Sequence, residues 1–247
     1  MLESMDVDFL VNTDSRSVLA ATPWDELCDP DRAPFDGETD FHRALSDSFH
    51  HRGECDTLVD LMTDAEAARD KRREASRIVA VSPERLSDSS ANEWVRYITV
   101  SSASREVGEW AQPIYETNAE EKNSLVMARR RGRLVVLVRL SEERGLRTHV
   151  EWTTTIAANV DVPLVIERFL SRGVIKSTLR QTEEGSRFYR SRAQFDLIDC
   201  DVEVDDVELR SQGLHAVDLG IFNQLLGTSA VTTNELRTAA SLILRWL

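Results

Sequence analysis

The chain has 247 residues, of which 41% are hydrophobic and 30% charged, so it can bury a substantial core. Its formal net charge of -13 argues against nucleic acid or an anionic membrane surface as the main partner, and no apolar run reaches bilayer length. The acidic first residues lack the basic segment of a signal peptide, so we expect a cytoplasmic protein.

The first 37 residues carry three prolines and many acids but no sustained helix or strand period. They predict an irregular arm ahead of one domain spanning residues 38–247. Between Phe41 and Ser76 apolar residues recur at helical spacing, and Gly53 predicts a break between two helices. Strands are then predicted over 78–81, 94–100 and 107–115.

The middle of the chain has mostly strand-like patterns. The segments 125–128 and 134–140 flank the turn sequence RRRG, which predicts a hairpin. Residues 147–157 and 188–204 are predicted strands. Between them, residues 161–172 predict a helix that Asp161 caps and Gly173 ends.

Two more helices are predicted near the C-terminus. Residues 217–226 form a short one closed by Gly227, and Thr232 with Glu235 makes a capping box for a helix that runs to Leu247. Together these elements predict an α+β fold in which helices flank a mixed or antiparallel sheet.

Several common sites are absent from the sequence. It contains no dinucleotide, P-loop, zinc-protease or serine-hydrolase motif. The three cysteines are far apart and form no CxxC pair. His51 and Cys55 could share a helix face, but Gly53 lies between them and no second ligand pair is visible. We therefore expect no metal.

One polar segment, QTEEGSRF from Gln181 to Phe188, lies between a helix pattern and a strand pattern. Its two carboxylates, glycine and arginine would line a pocket if the turn lies at the end of a sheet. The alternative is a solvated turn.

Five stretches, in order, resemble the NDP-hexose 2,3-dehydratase family of deoxysugar biosynthesis. REVGEWAQPIY resembles the family's W-x-Q-P-I-I strand, and HVEWTTTIAA resembles its V-Q-L-S-P-T-V-Q-A stretch. The other three stretches are Gly132–Gly145, Val174–Phe195 and Gly213–Ile243. The resemblance covers roughly residues 78–247 and implies a Nudix-like unit that the family normally carries twice, whereas this chain has length for one copy.

The resemblance also implies a reaction without a redox cofactor. An NDP-4-keto-6-deoxyhexose loses its C3 proton and then its C2 hydroxyl as water, which requires a base, a donor to the enolate oxygen and an acid. The candidate bases are Glu143, Glu183 and Glu184, and the candidate acid is Tyr115. The candidate substrate contacts are Arg187, Arg139, Gln112, Thr155 and Gln181.

Departures from the family pattern leave two functions open. Ala157 replaces a glutamine, Arg139 to Ser141 replace Q-A-K, and most of the polar K-R-N-R-N end is missing. We expect a diverged lyase or isomerase acting on a nucleotide sugar or another natural-product intermediate in secondary metabolism. The alternative is a non-catalytic binding or partner subunit. A homodimer is expected, because a single copy would expose the surface that meets its twin in the double unit.

Overall fold

The computed structural model describes residues 39–49, 57–75, 93–101, 109–117, 120–142, 150–158, 161–183, 188–189, 191–228 and 230–246. The helices of this part are α1 (Thr39–Phe49), α2 (Leu58–Ala75), α3 (Leu164–Leu170), α4 (Asp206–Ser211), α5 (Leu219–Gly227), α6 (Asn234–Ser241) and a 3-10 helix (Ile243–Trp246). Its strands are β1 (Glu93–Ser101), β2 (Glu109–Thr117), β3 (Glu121–Arg130), β4 (Arg133–Glu142), β5 (Val150–Thr154), β6 (Gly173–Glu183), β7 (Phe188–Tyr189), β8 (Ser191–Glu203) and β9 (Leu214–Asp218).

The strands form two sheets in the described part of the chain. The main sheet has the order β5-β4-β3-β8-β6, with β9 paired to β4, and a smaller sheet has the order β1-β2-β7. β3 and β8 run parallel, whereas β4 is antiparallel to β3, β5 and β9. The expected α+β class with a mixed sheet flanked by helices is confirmed.

Helices cover both faces of the main sheet because its strands alternate apolar side chains between the faces. On the first face, Leu125 and Met127 of β3 pack with residues of α1, α2, α5 and α6. On the second face, Val126 and Ala128 of β3 pack with residues of α3 and α4. The sheet is therefore the middle layer of three.

The predicted hairpin is confirmed between β3 and β4. Arg131 and Gly132 both have positive φ, 51° and 75°, as a two-residue hairpin turn of this kind requires. The Glu203 carboxylate accepts hydrogen bonds from both of their amides. Arg129 pairs with Asp199 at 2.7 Å, so acids of β8 neutralise this arginine-rich turn.

Two predicted helix caps are wrong. Helix α3 begins after Pro163, which has an extended ψ of 141° and makes no side-chain cap bond, so Asp161 lies too far from the helix to cap it. Helix α6 is capped by Thr233, whose side chain accepts from the Leu236 amide, and not by Thr232. In both cases the chain enters its helix later than the sequence pattern suggests.

Three elements were not predicted. β6 lies where the sequence predicted only a connection between a helix and a turn. It begins at Gly173, which was expected to end the helix. α4 and β9 follow β8 in an acid-rich stretch. The Asp205 side chain caps α4 by accepting from the Glu208 amide at 2.9 Å, a local signal that was present in the sequence. Val217, expected to begin a helix, lies in β9.

The apolar stripe of the C-terminal helix packs inside the chain. Leu236, Ala239 and Ile243 are fully buried in the first-face core. Trp246 packs edge-on against Phe41 with ring centroids 5.4 Å apart. The expected N-terminal arm, the break at Gly53 and the strand over 78–81 lie outside the described residues.

Candidate functional site

β3 and β5 share one edge of β4, and the sheet forks where they part. Residues 135–137 of β4 pair with both β3 and β9, and residues 138–139 pair with both β5 and β9. Since a strand has only two edges, β9 takes one of them, and β3 and β5 follow each other along the other edge. We call the gap where β3 separates from β4 the fork.

The Thr155 side chain closes the base of the fork. Thr155 is fully buried, and its hydroxyl accepts from the Val126 amide at 2.9 Å and donates to the Leu137 carbonyl. These are the facing main-chain groups at the end of the β3–β4 ladder. Beyond Thr155 the chain pairs antiparallel with β3, through the bridge between Ile156 and Ser124. The hydroxyl that we expected to contact substrate is committed to the main chain.

The segment before α6 forms a further wall of the fork. Trp152 donates its amide to the Val231 carbonyl at 2.8 Å, and its own carbonyl accepts from the Thr233 amide at 2.9 Å. The hydroxyls of Thr153 and Thr233 lie 3.1 Å apart. The C-terminal segment is therefore fixed along β5, and the N-terminus of α6 lies at the fork.

Glu151 is a buried carboxylate on β5. Only 8% of its surface is exposed, and among the described residues none donates a hydrogen bond to its carboxylate. Burial raises the pKa of the Glu151 carboxyl, the charges of Arg237 and Arg69 oppose that rise, and Glu235 adds to it. The Glu151 oxygens are not among the described buried atoms that lack a hydrogen-bond partner, so the carboxylate keeps contact with solvent although the residue as a whole is buried. Carboxylates with a raised pKa concentrate at functional sites.

Arg69 of α2 and Arg237 of α6 act on the Glu151 carboxylate through their charge. Neither forms an ion pair with it in the described part of the chain. The Arg69 guanidinium donates to the carbonyls of Val150 and Ala230, at 3.1 and 3.2 Å. The Arg237 guanidinium donates to the Thr232 hydroxyl at 3.0 Å and to the Thr232 carbonyl. Main-chain carbonyls thus hold two positive groups near Glu151, where they favour an anionic or carbonyl-bearing ligand.

Arg139 of β4 lies on the same face of the sheet as Glu151. Arg139 is paired with Thr153 and Ser141 with Glu151, so Arg139 and Glu151 are diagonal neighbours across the ladder. Such neighbours are about 7–8 Å apart, within reach of a long side chain. The Arg139 guanidinium donates to the Asp161 carbonyl at 3.1 Å. Burial lowers the Arg139 pKa and the Asp161 charge opposes this, but an arginine remains charged.

A second buried polar group lies at the start of β3. Asn123 is 1% exposed and its Oδ1 accepts from the Ala158 amide at 3.3 Å, which fixes the orientation of the carboxamide. Its Nδ2 has no hydrogen-bond partner among the described residues. Buried amide donors are rarely left unpaired, so this group could serve a ligand or a water molecule.

On the other side of β3, polar side chains of β6 and β8 form a connected network. The Asp196 carboxylate accepts from the Thr178 hydroxyl at 2.7 Å and from Gln194 at 2.9 Å. Gln194 in turn accepts from Arg180 at 3.2 Å. Because each of these groups has a protein partner, the network needs no ligand to satisfy it.

The remaining predicted residues lie elsewhere. Tyr115 and Gln112 are in β2 of the small sheet, where the Tyr115 and Phe188 rings are 5.9 Å apart and Gln112 accepts from the Trp110 indole at 3.1 Å. Gln181 and Glu183 are near the end of β6, opposite Ala193 and Ser191. Glu143, Glu184 and Arg187 lie outside the described residues. Arg139 and Thr155 are the two predicted residues that the structure brings to the fork.

Sequence reasoning missed Glu151, Asn123, Arg69 and Arg237. The available signal was the strand VEWTT, where an acid stands beside tryptophan in a segment otherwise buried throughout. In the part of the chain that the structure describes, no group of three His, Cys, Asp or Glu side chains is placed to hold a metal ion. None of the described helices is long and apolar enough to cross a bilayer.

Comparison with known proteins points to one family. A family model described as NDP-hexose 2,3-dehydratase matches residues 80–243, a range that contains all the strands described above. The dTDP-4-dehydro-6-deoxy-alpha-D-glucopyranose 2,3-dehydratase of Saccharopolyspora spinosa is 25% identical over 261 residues, which cover 97% of this chain. The same match covers 53% of that relative, so the chain spans about half the length of the curated relative it matches.

Proposed function

Since the chain belongs to the NDP-hexose 2,3-dehydratase family, we propose that it is a lyase that removes water from a nucleotide-activated 4-keto-6-deoxyhexose. The activity of the Saccharopolyspora spinosa relative supports a dTDP-linked sugar as the first substrate to test. The reaction belongs to deoxysugar biosynthesis, and we place it in the secondary metabolism of a natural product.

One observation carries this proposal: the stretches that resemble the family meet at the fork although they are far apart in sequence. Ser141 of β4 is paired with Glu151 of β5, and Trp152 of β5 is bridged to Thr232 ahead of α6. Three separate parts of the resemblance therefore build one polar region. A shared fold alone would not require ionisable groups at their meeting point.

The fork supplies one of the groups that the reaction requires. Removing the C3 proton needs a base, and the candidates for it are the carboxylates predicted from the sequence, Glu143, Glu183 and Glu184. The enolate that forms needs a donor, and Arg139 supplies a charged guanidinium on the same face. The roles proposed for Tyr115, Glu183 and the other residues selected from the sequence remain predictions.

The proposal is tested by binding and by conversion. dTDP and dTDP-4-dehydro-6-deoxyglucose are each added to the protein, and its melting temperature is measured against a ligand-free sample. A ligand at a hundred times its Kd stabilises the folded state by about 2.7 kcal/mol. Mass spectrometry then measures whether the sugar nucleotide loses one water.

Three outcomes separate the candidate functions. Stabilisation together with loss of water supports the dehydratase. Stabilisation without any conversion would instead indicate the binding or partner subunit. If neither ligand changes the melting temperature and no water is lost, the proposed substrate class is wrong.

A further inference from the structure

We propose that the acidic N-terminal arm of this chain docks along the outer edge of β6, where residues 6–14 pair with that strand and extend the main sheet. The arm is residues 1–38, which precede α1 in the chain and lie outside the described residues. β6 and the fork are at opposite ends of the strand order, so this proposal does not depend on the proposed function.

The outer edge of β6 has room for one more strand. β6 is eleven residues long and is the last strand at one end of the main sheet. One of its edges pairs with β8, and the described part of the chain places no strand against the other edge. A strand edge carries main-chain donors and acceptors that pair readily with another extended segment.

The side chains of β6 are unusually apolar for an exposed strand. Val174 is 56% exposed, Ile175 57% and Leu179 36%, and these are three of the six large apolar side chains that are exposed in the described chain. Lys176 and Arg180 stand among them, and the strand has no acid before its last residue. Apolar and positive side chains together on one edge suit an extended segment that is both apolar and acidic.

The N-terminal arm has this complementary composition. Its 38 residues include ten acidic and two basic side chains, which gives it a net charge of -8 within a chain of net charge -13. Val7, Phe9 and Val11 recur at every second position between Asp6 and Asp14, which is the period of a β-strand. The alternation is too short to form a sheet alone, but it is long enough to pair with an existing edge.

The arm also joins the described structure beside β6. α1 begins at Thr39, and the Lys176 ammonium of β6 lies 4.9 Å from the centre of the Phe41 ring. The Trp246 indole links the same two elements, because it packs on Phe41 and donates to the Ser177 hydroxyl at 2.9 Å. The 24 residues between the paired segment and α1 can span about 80 Å when extended, about twice the length of β6.

A second copy of the chain fits this edge less well than the arm does. Two β6 strands paired with each other would bring the positive side chains of one close to those of the other, and like charges across a strand pair are destabilising. The register of β6 also shifts between Ile175 and Ser177, and such a bulge disfavours edge-to-edge pairing of two sheets. A segment of nine residues can pair with the regular part of β6 from Ser177 onward.

Hydrogen exchange of the β6 amides in the full chain tests the proposal. Alternate amides of a strand point to opposite edges, so those that point away from β8 are protected only when another strand is present. We expect them to exchange at least about tenfold more slowly in wild type than in Phe9→Ser/Val11→Ser, measured residue by residue by NMR. The control Val18→Ser/Leu19→Ser makes the same kind of change outside the paired segment and should keep the wild-type protection.

Charge reversal tests the electrostatic part of the pairing. Asp6→Lys/Asp8→Lys replaces the attraction to β6 with repulsion, so it should also lower the protection of the outward-facing amides. Asp25→Lys/Glu26→Lys changes the net charge of the arm by the same amount but lies outside the paired segment. This control should exchange like wild type.

Each outcome decides for or against the arm. Protection that is lost in Phe9→Ser/Val11→Ser and Asp6→Lys/Asp8→Lys, kept in both controls and independent of protein concentration supports the proposal. Fast exchange of the outward-facing amides in wild type overturns it. Protection that appears only at high concentration would show that a second copy covers β6, and equal loss in the controls would show that residues 6–14 are not the paired segment; both overturn the proposal. No measurement involves the sugar, so failure here leaves the proposed function untouched.

Discussion

Replacing Thr155 with valine tests whether its hydroxyl holds the fork together. Valine has nearly the same shape but can neither donate to the Leu137 carbonyl nor accept from the Val126 amide. Both main-chain groups would remain buried without this partner, and each such group costs about 1–3 kcal/mol. We expect a total loss of about 3 kcal/mol. In a chain of this size that lowers the melting temperature by about 6–12 °C.

The assay is thermal unfolding of wild type, Thr155→Val, Thr155→Ser and Thr63→Val. Thr155→Ser keeps the hydroxyl and should lose only the methyl packing, about 1 kcal/mol. Thr63 is an exposed threonine of α2 whose hydroxyl donates to the Val59 carbonyl at 2.9 Å, so its valine variant should change stability by less than about 0.5 kcal/mol. If Thr155→Val and Thr63→Val have the same melting temperature, the two hydrogen bonds of Thr155 do not stabilise the fork and this reasoning fails.

The other predictions concern the polar segment, the thiol and assembly. Glu183→Gln should abolish turnover or ligand binding with little change in melting temperature, and a fully active variant would remove its segment from the site. Arg187→Lys should weaken ligand binding, because lysine lacks the planar fork of donors; equal affinity in a titration would contradict this. Burial raises the pKa of the Cys200 thiol to about 11, so the native protein at pH 8 should react with a thiol reagent at this residue far more slowly than the unfolded protein. We also expect a homodimer, and light scattering that gives 28.0 kDa at every concentration would rule it out.

Elements encoded within a few neighbouring residues could be predicted from the sequence. The β3–β4 hairpin follows from strand patterns on both sides of RRRG, since Arg131 and Gly132 can adopt the turn without help from distant segments. The two N-terminal helices follow from a repeat of apolar residues every three or four positions. The family was also recognisable, because its motifs are short runs of sequence.

Where distant segments compete for the chain, local patterns were a poor guide. Gly173 was expected to end a helix, and it does follow α3, but it is also the first residue of β6. A Cβ placed there would lie 2.7 Å from Ile198 Cγ2, so close packing on β8 requires glycine at this position. Asp161 suits a helix cap by its residue type, yet the chain uses its carbonyl to accept from Arg139.

The sequence by itself therefore determined the family and the α+β class. It also placed Arg139 and Thr155 in stretches that resemble the family. Only the tertiary structure brought Glu151 into the interior, because its strand pairs with β4, its neighbour Val150 accepts from Arg69 of α2, and its neighbour Trp152 bonds to the segment before α6. Burial raises the pKa of Glu151, and the charges of Arg237 and Arg69, which lie on opposite sides of it in sequence, oppose that rise. The alternation of apolar and polar residues along a strand predicts which face of the strand a residue occupies. The charge and solvent around that residue are set by whatever the fold places against that face.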